Sequence, residues 1–228
     1  MRSLLRFLPL NLQRRLFLYQ TNNNPFSDYL KKNIPARNDE VIQTEFLVLD
    51  FETTGLDATK NNILSLGYTV ICNNKVQLSR NVYFIIRQEN QLSSQNVSIH
   101  QITDSDAEQG VSLKHAIDCL LSDLSGKVLV AHHASIEQKF LNAACLKLYG
   151  FELPVRIVDT MQLEKKRLER RHSGIKQNQL RLFNIRKAYG LPRYKAHNAL
   201  EDAVSTAELL LVQISNICGQ KNCRVKDL

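Results

Sequence analysis

Phe46-Leu47-Val48-Leu49 is an apolar run that reads as a buried strand, and it leads directly into Asp50-Phe51-Glu52, where acid and aromatic alternate. A second apolar stretch, Ile63 to Cys72, is separated by Asn73-Asn74 from a third, Val76 to Ile86. An asparagine pair suits a tight hairpin turn, so these three strands are expected to form an antiparallel meander that begins at Phe46. Beyond it the period changes. Leu113, Ala116, Ile117, Leu120, Leu121 and Leu124 recur at helical spacing behind Ser112, a candidate cap. Val128 to Ala131 reads as a short buried strand, Ser135 to Leu148 as a helix closed by Gly150, and Val155 to Val158 as another short strand. Helical patterns follow over Met161–Arg171, Leu180–Tyr189 and Ala199–Ile217. A meander followed by alternating strand and helix predicts an α/β domain, a mixed sheet with helices on both faces.

The polar positions divide the chain further. Residues 1–44 read as an N-terminal extension, 45–217 as the domain and 218–228 as a C-terminal tail. From Met1 to Tyr19 the extension mixes Leu and Phe with Arg2, Arg6, Arg14 and Arg15, and no acid precedes Asp28. That pattern fits a mitochondrial presequence and equally an amphipathic helix lying on the domain or on a partner. Cytoplasm is the expected compartment, with the mitochondrial matrix as the alternative. Thr21-Asn22-Asn23-Asn24-Pro25 and Pro35 rule out one continuous helix here.

Composition narrows the class. The 228 residues suit one domain with a full core plus extensions, and a charged content of 23% is that of a globular chain rather than a disordered one. No run is apolar enough to span a bilayer, so a soluble chain without a membrane partner is expected. A net charge of +8 points to a polyanionic partner. The five cysteines are an odd count without a C-x-x-C pair, which argues for a reducing compartment and against a zinc module or disulfide scaffold. Cys223 reads as a free thiol near the tail.

Asp50 and Glu52 stand two apart on a strand and therefore share a face. Two carboxylates held that close repel unless a cation lies between them. Either the strand has ended and both are solvated, or they are hard oxygen ligands for Mg²⁺ or Mn²⁺. Glu137 falls in the first turn of its helix, where acids also compensate the helix dipole. Asp202 lies more than a turn inside the last helix, on the face it shares with Ala199, Ala203 and Thr206, where an acid has no evident structural purpose. Glu201 beside it is expected to face solvent.

Asp50-Phe51-Glu52-Thr53-Thr54-Gly55-Leu56 resembles the first motif of the DnaQ-like exonucleases, the superfamily that includes the proofreading epsilon subunit of bacterial replicative polymerase. His197-x-Ala199-x-x-Asp202 is similar to the third motif of the histidine-containing DEDDh branch, and Val130-Ala131-His132-His133-Ala134-x-x-Glu137-x-x-Phe140-Leu141 to the second. Ile63-Leu64-Ser65-Leu66-Gly67, Ile99-His100-Gln101-Ile102-Thr103 and Val158-Asp159-Thr160 agree with it. The resemblance spans about residues 45 to 217. Two positions depart from the usual pattern: His133 stands where Asn is customary, and Glu137 where Asp is.

The resemblance implies a ribonuclease H-like mixed five-stranded sheet and a 3′–5′ exonuclease that releases nucleoside 5′-monophosphates from single-stranded ends, DNA preferred. An RNA-trimming enzyme of the superfamily and a non-catalytic nucleic-acid or polymerase-binding module are the alternatives. It further implies that Asp50, Glu52, Glu137 and Asp202 hold two divalent ions, Mg²⁺ or Mn²⁺, with His197 as general base. Thr53 and Gly55 would receive the terminal 3′ hydroxyl and Leu56 would pack on the last base. His133 would either contact substrate phosphate or fix its loop. Asp159, Asp104 and His100 are read as cap and loop residues.

Nine basic residues lie between Lys165 and Lys187, either a solvated helix face or a path for a nucleic-acid strand. Gln13-x-x-Leu16-Phe17 and Gln179-Leu180-Arg181-Leu182-Phe183 are similar to peptides by which bacterial proteins dock on a sliding clamp, so a clamp or a DNA polymerase is a candidate partner.

Overall fold

The computed structural model describes residues 8–88, 102–172, 174–176, 178–195, 197–219 and 221–228. Strand β1 (Phe46–Thr53) lies at the middle of a mixed sheet. It pairs antiparallel with β2 (Ile63–Cys72), Leu47 opposite Val70, and parallel with β5 (Val128–Ala131), Val48 opposite Val130. β6 (Ile157–Asp159) adds in parallel to β5. On the far side of β2 stand β3 (Lys75–Val76) and β4 (Val82–Ile85). Between β2 and β3, Asn73 and Asn74 take φ of 51° and 55°, the left-handed pair that a tight hairpin requires.

The third strand departs from expectation. A 3₁₀ turn at Leu78–Arg80 breaks the Val76–Ile86 run, so β3 and β4 are two short segments occupying one position beside β2. Five strand positions are thus filled by six segments. The last strand begins two residues later than its apolar pattern indicated: Val155 is buried by packing, and ladder pairing starts at Ile157 opposite Leu129.

Side-chain alternation along β1 sorts the helices. Leu47, Leu49 and Phe51 face a core built with α1 (Leu10–Gln20), α2 (Pro25–Lys31), α4 (Leu113–Leu124) and α5 (Ser135–Tyr149). Phe46 and Val48 face the opposite core, formed with α6 (Thr160–Arg170) and α8 (Ala199–Cys218). A short α3 (Asp104–Glu108) and α7 (Leu182–Ala188) complete the shell. With a period of two, Asp50 and Glu52 belong to the Phe46–Val48 side, the side that α8 covers.

Part of the N-terminal extension is folded into the core. Phe17 packs tilted against Phe151 at 4.8 Å between ring centroids, Phe26 stacks on Tyr149 at 5.1 Å, and the Tyr29 hydroxyl donates to the Pro154 carbonyl at 2.9 Å. Arg14 Nε donates to the Leu30 carbonyl at 2.6 Å, so one of the basic residues ties α1 to the end of α2. Asn24 caps α2 with Pro25 at its first position, where a missing N–H costs nothing. Truncating Phe26, fully buried, is expected to cost roughly 3–5 kcal/mol.

The C-terminal tail corrects another expectation. Cys218 and Cys223 form a disulfide, so Cys223 is not a free thiol. The tail then returns to the N-terminal side: Val41 N–H donates to the Cys223 carbonyl at 2.8 Å, and Val225 N–H to that of Asp39 at 3.0 Å. Among the described residues no helix is long and apolar enough to cross a membrane.

One close approach positions the site. A Cβ on Gly67 would lie 2.2 Å from the backbone nitrogen of Leu200 and 2.3 Å from the carbonyl carbon of Ala199. The start of α8 therefore rests on bare backbone of β2, and Gly67 is the residue paired with Asp50 across the β1–β2 ladder.

Candidate active site

At the C-terminal end of β1 the carboxylates of Asp50, Glu52 and Asp202 each offer an oxygen within 4.8 Å of the others. Asp50 and Glu52 reach this point by alternation along β1. A register shift between Glu52 and Thr53 ends the regular pairing just beyond them, as bulges beside sites commonly do. Asp202 arrives because α8 sits against Gly67, and its small neighbours Ala199, Ala203 and Thr206 are all buried on that face. Glu201 is exposed, as expected.

Glu137 stands outside this set of three but joins it electrostatically. Burial raises the pKa of Asp50 well above the ordinary carboxylate value, and the charge of Glu137 is the next largest cause, ahead of Asp202 and Glu52. Burial likewise lifts Glu52 to about 8, with Asp202 adding to it, and Asp202 to about 6. Glu137 is raised to about 8 by burial, opposed by a backbone hydrogen bond and assisted by the charge of Asp159. Glu52, Glu137 and Asp202 are only 7%, 5% and 9% exposed. Glu137 Oε2 and Asp202 Oδ1 are buried with no hydrogen-bond partner among the described residues. Buried acids without a cation or donor are costly. An all-carboxylate set of this kind fits a hard divalent cation, whose charge would reverse each of these shifts.

His197 is exposed and adopts φ +70°, and its backbone N–H donates to Asp202 Oδ2 at 3.1 Å. Asn198 then caps α8 by accepting from Leu200 and Glu201 N–H. His133 also has a left-handed backbone, φ +65°, and is exposed at the end of β5. Non-glycine residues of that conformation persist where the surroundings hold them. Here the holder is Asp159, whose carboxylate accepts from the N–H groups of His133 and Ala134 at 3.1 Å each and also caps α6. Asp159 is thus a cap, as expected, and additionally fixes the loop that precedes Glu137. Asp104 lies in the first turn of α3, which Thr103 caps; His100 lies outside the described residues.

Thr53 Oγ1 donates to the Gly55 carbonyl at 2.8 Å, and Thr54 bonds Asn61 and Asn62, closing a tight loop after β1. A Cβ on Gly55 would meet the Asn61 side chain at 2.6 Å. The loop leaves Leu56 73% exposed.

Two residues of this region escaped the sequence reading. His132 is half-buried between Thr160 Oγ1 at 2.8 Å and the Leu180 carbonyl at 2.9 Å, and desolvation lowers its pKa to about 4. It is therefore neutral, with Nε2–H donating to Leu180 and Nδ1 accepting from Thr160. The Asp159-Thr160 pair beside the second motif was the available signal. Arg186, counted among the solvated cations, is 1% exposed: it donates to the Ser205 and Pro192 carbonyls and to Glu208 Oε2, tying α7 to α8. Arg167 pairs with buried Glu164, and Lys165 reaches Glu169. The other six cations of the cluster, Lys166, Arg170, Arg171, Lys176, Arg181 and Lys187, form no ion pair among the described residues.

This fold and site define a nuclease class. The Exonuclease family model of RNase T type matches residues 47–210, and the chain belongs to that family. Among individual relatives, the PolC-type DNA polymerase III of Thermotoga petrophila is 30% identical over 73% of this chain and 12% of its own length. The DNA polymerase III subunit epsilon of Treponema pallidum is 28% identical over 77% of this chain and 79% of its own. The chain thus spans only about an eighth of the PolC-type relatives. Among solved structures, the nuclease domain of 3′hExo, described as a DEDDh family member bound to rAMP, superposes with a TM-score of 0.63 at 13% identity, covering 79% of this chain and 96% of that one. Exonuclease X in complex with 5′-overhanging duplex DNA gives 0.59 at 24%, covering 80% and 98%. These likenesses establish the ribonuclease H-like exonuclease fold.

Proposed function

We propose that the protein is a metal-dependent 3′–5′ exonuclease that hydrolyses single-stranded ends, DNA in preference to RNA, to nucleoside 5′-monophosphates. The observation that carries this reading is the convergence of Asp50, Glu52 and Asp202, one oxygen of each within 4.8 Å of the others, with the charge of Glu137 acting on Asp50 as well. When bound by these four carboxylates, two divalent ions, Mg²⁺ or Mn²⁺, would supply an activated water and stabilise the leaving oxygen. His197 accepts a proton from the attacking water at an imidazole nitrogen; its exposure gives it access to that water, and its N–H link to Asp202 ties it to the acids. Water adds to the phosphorus, the 3′ oxygen of the preceding nucleotide departs and takes up a proton, and the terminal nucleotide leaves as its 5′-monophosphate. Backbone at Thr53 and Gly55 receives the terminal 3′ hydroxyl, exposed Leu56 packs on the last base, and His133 reaches the substrate phosphate.

The test is a 3′-labelled oligonucleotide incubated with Mn²⁺, wild type beside Asp50→Ala. Mononucleotide release by wild type alone is expected; release by both would discard the site. Replacing His197 with Ala is expected to slow release by roughly 10²–10⁴-fold, the usual contribution of a general base. Parallel DNA and RNA oligonucleotides separate the two substrate classes. A non-catalytic binding module is favoured only by Glu137 standing outside the tight set, and it predicts no Mn²⁺-dependent release at any enzyme concentration.

The PolC-type and epsilon relatives support association with a DNA polymerase, which co-purification would test. Clamp docking through Gln13-x-x-Leu16-Phe17 finds no support: Gln13 and Phe17 are buried against the domain. In the second such segment the Leu180 carbonyl is taken by His132.

A further inference from the structure

After α8 the chain doubles back along residues 37–41 as a short strap, and a few contacts and one covalent bond keep it there. Val225 N–H donates to the Asp39 carbonyl at 3.0 Å, Lys226 N–H to that of Arg37 at 2.8 Å, and Val41 N–H to that of Cys223 at 2.8 Å, with Glu40 and Arg224 paired as an isolated antiparallel bridge. Val225, 4% exposed, packs beside Val41 and Ile214 in the second core, whereas Lys221, Asn222, Arg224, Lys226 and Asp227 are exposed. Three backbone bonds and one buried valine return little of the entropy spent in ordering the strap.

The Cys218–Cys223 bond joins the last residue of α8 to this strap. Both cysteines are half-buried, and they line a recess of about 310 Å³ with Glu40, Asn74 and Lys221, so a small thiol can reach the sulfurs. The bond spans a sequence separation of 5; so short a ring restricts the unfolded chain little, and its opening acts on the strap rather than on the domain as a whole. Cys72, Cys119 and Cys145 are free, so the pairing belongs to no general disulfide framework. Along α8 the stretch from Asp202 to Cys218 rises about 24 Å, which sets the bond well away from the converging carboxylates.

We propose that Cys218 and Cys223 form a redox modification site, a clasp opened by a small dithiol and closed by a small disulfide such as oxidised glutathione, which sets whether the strap is seated. In opening, a thiolate of the dithiol attacks one sulfur, the Cys218–Cys223 bond breaks and a mixed disulfide forms; the second thiol of the dithiol then displaces the protein sulfur. The protein takes up two electrons and two protons as two thiols, and the dithiol is oxidised to its own disulfide. Closing oxidises the two protein thiols again while glutathione disulfide is reduced to two glutathione thiols. Once the strap leaves, Val41 and Ile214 meet solvent and the carbonyls of Arg37 and Asp39 lose their donors, so the open chain is the better protease substrate. The clasp thereby governs the lifetime of the chain rather than the chemistry at its acids.

The test compares the full chain after treatment with glutathione disulfide and after treatment with dithiothreitol, each then freed of reagent. Peptide mapping after alkylation in denaturant is expected to find the peptides of Cys218 and Cys223 bridged in the first state, separately alkylated in the second, and bridged once more on return to glutathione disulfide. Limited trypsin digestion of the native chain is followed by intact mass: loss of residues 225–228, by cleavage after Arg224, is expected to be at least tenfold faster in the reduced state. The double variant C218S/C223S is expected to lose them at the reduced rate with or without dithiothreitol, and C72S, outside the clasp, to respond as wild type does. Absence of the bridged pair after glutathione disulfide, equal cleavage in the two states, or a C72S chain that no longer responds overturns the clasp. Should the double variant fail to fold, the two states of the wild-type chain still decide.

Discussion

The chain buries acids in two places and treats them in opposite ways. Glu164, 3% exposed, receives bidentate donation from Arg167 and a further bond from the Tyr189 hydroxyl, and Glu208 is met by Arg186 and Tyr194. Those acids hold α6, α7 and α8 together. Glu52, Glu137 and Asp202 are buried to a similar degree, and burial raises their pKa values. Burial of a carboxylate thus carries no functional meaning by itself. What separates the two sets is their company: arginines meet Glu164 and Glu208, whereas Asp50, Glu52 and Asp202 converge on one another.

The contrast can be broken most sharply by activity. Asp50→Ala is expected to lower mononucleotide release by roughly 10³-fold or more, since a bound metal contributes several kcal/mol and each 1.4 kcal/mol is tenfold. Glu164→Gln should leave the rate within about an order of magnitude. Stability should move the other way. Removing Arg186, by Arg186→Met, is expected to cost roughly 3 kcal/mol in urea unfolding, because a buried pair loses one partner. Asp50→Asn in the metal-free chain should instead stabilise at pH 8, by about 1–3 kcal/mol, because folding no longer has to bury an acid beside Glu137, Asp202 and Glu52.

Titration supplies a third, smaller distinction. In the unfolded chain these acids lose their protons near pH 4, but in the fold Glu52 and Glu137 keep them to about pH 8. Between those limits the folded chain holds these protons and the unfolded chain does not, so the contribution of Glu52 and Glu137 to metal-free stability is greatest at low pH and is lost as pH rises through about 8. Mn²⁺ competes with those protons, so the increase in Tm that it produces should be larger at pH 8 than at pH 6. An increment independent of pH would separate metal binding from these acids. Smallest of all, replacing Arg170 and Arg171 should reduce the slope of log affinity against log salt for single strands by about 1.4, two phosphate contacts' worth.

Much of this was visible in the sequence because the decisive residues violate local expectation. Carboxylates two apart at the end of a greasy strand, and Asp202 on the alanine face of α8, stand out against the periods that surround them. What was hidden followed those periods. Arg186 sits in a charge run and looks solvated, although Ser205, Pro192 and Glu208 enclose it. Phe26, Tyr29 and Leu30 lie in a helix of seven residues behind a polar run, too short to show a face, yet they are fully packed. The third strand broke at Leu78–Arg80 with no glycine or proline to announce it. The pairing of Cys218 with Cys223 depends on how the chain turns after α8, which spacing alone does not specify.

Gly67 joins these themes at a single atom. Because Leu200 lies where its β-carbon would be, one methyl group added on a neighbouring strand would act as a wedge beneath the last helix, lifting Asp202 and the adjoining imidazole away from Asp50. The spacing of the clustered carboxylates is therefore set partly by a residue that has no side chain to contribute, and a Gly67→Ala protein should stay folded while its acids no longer converge.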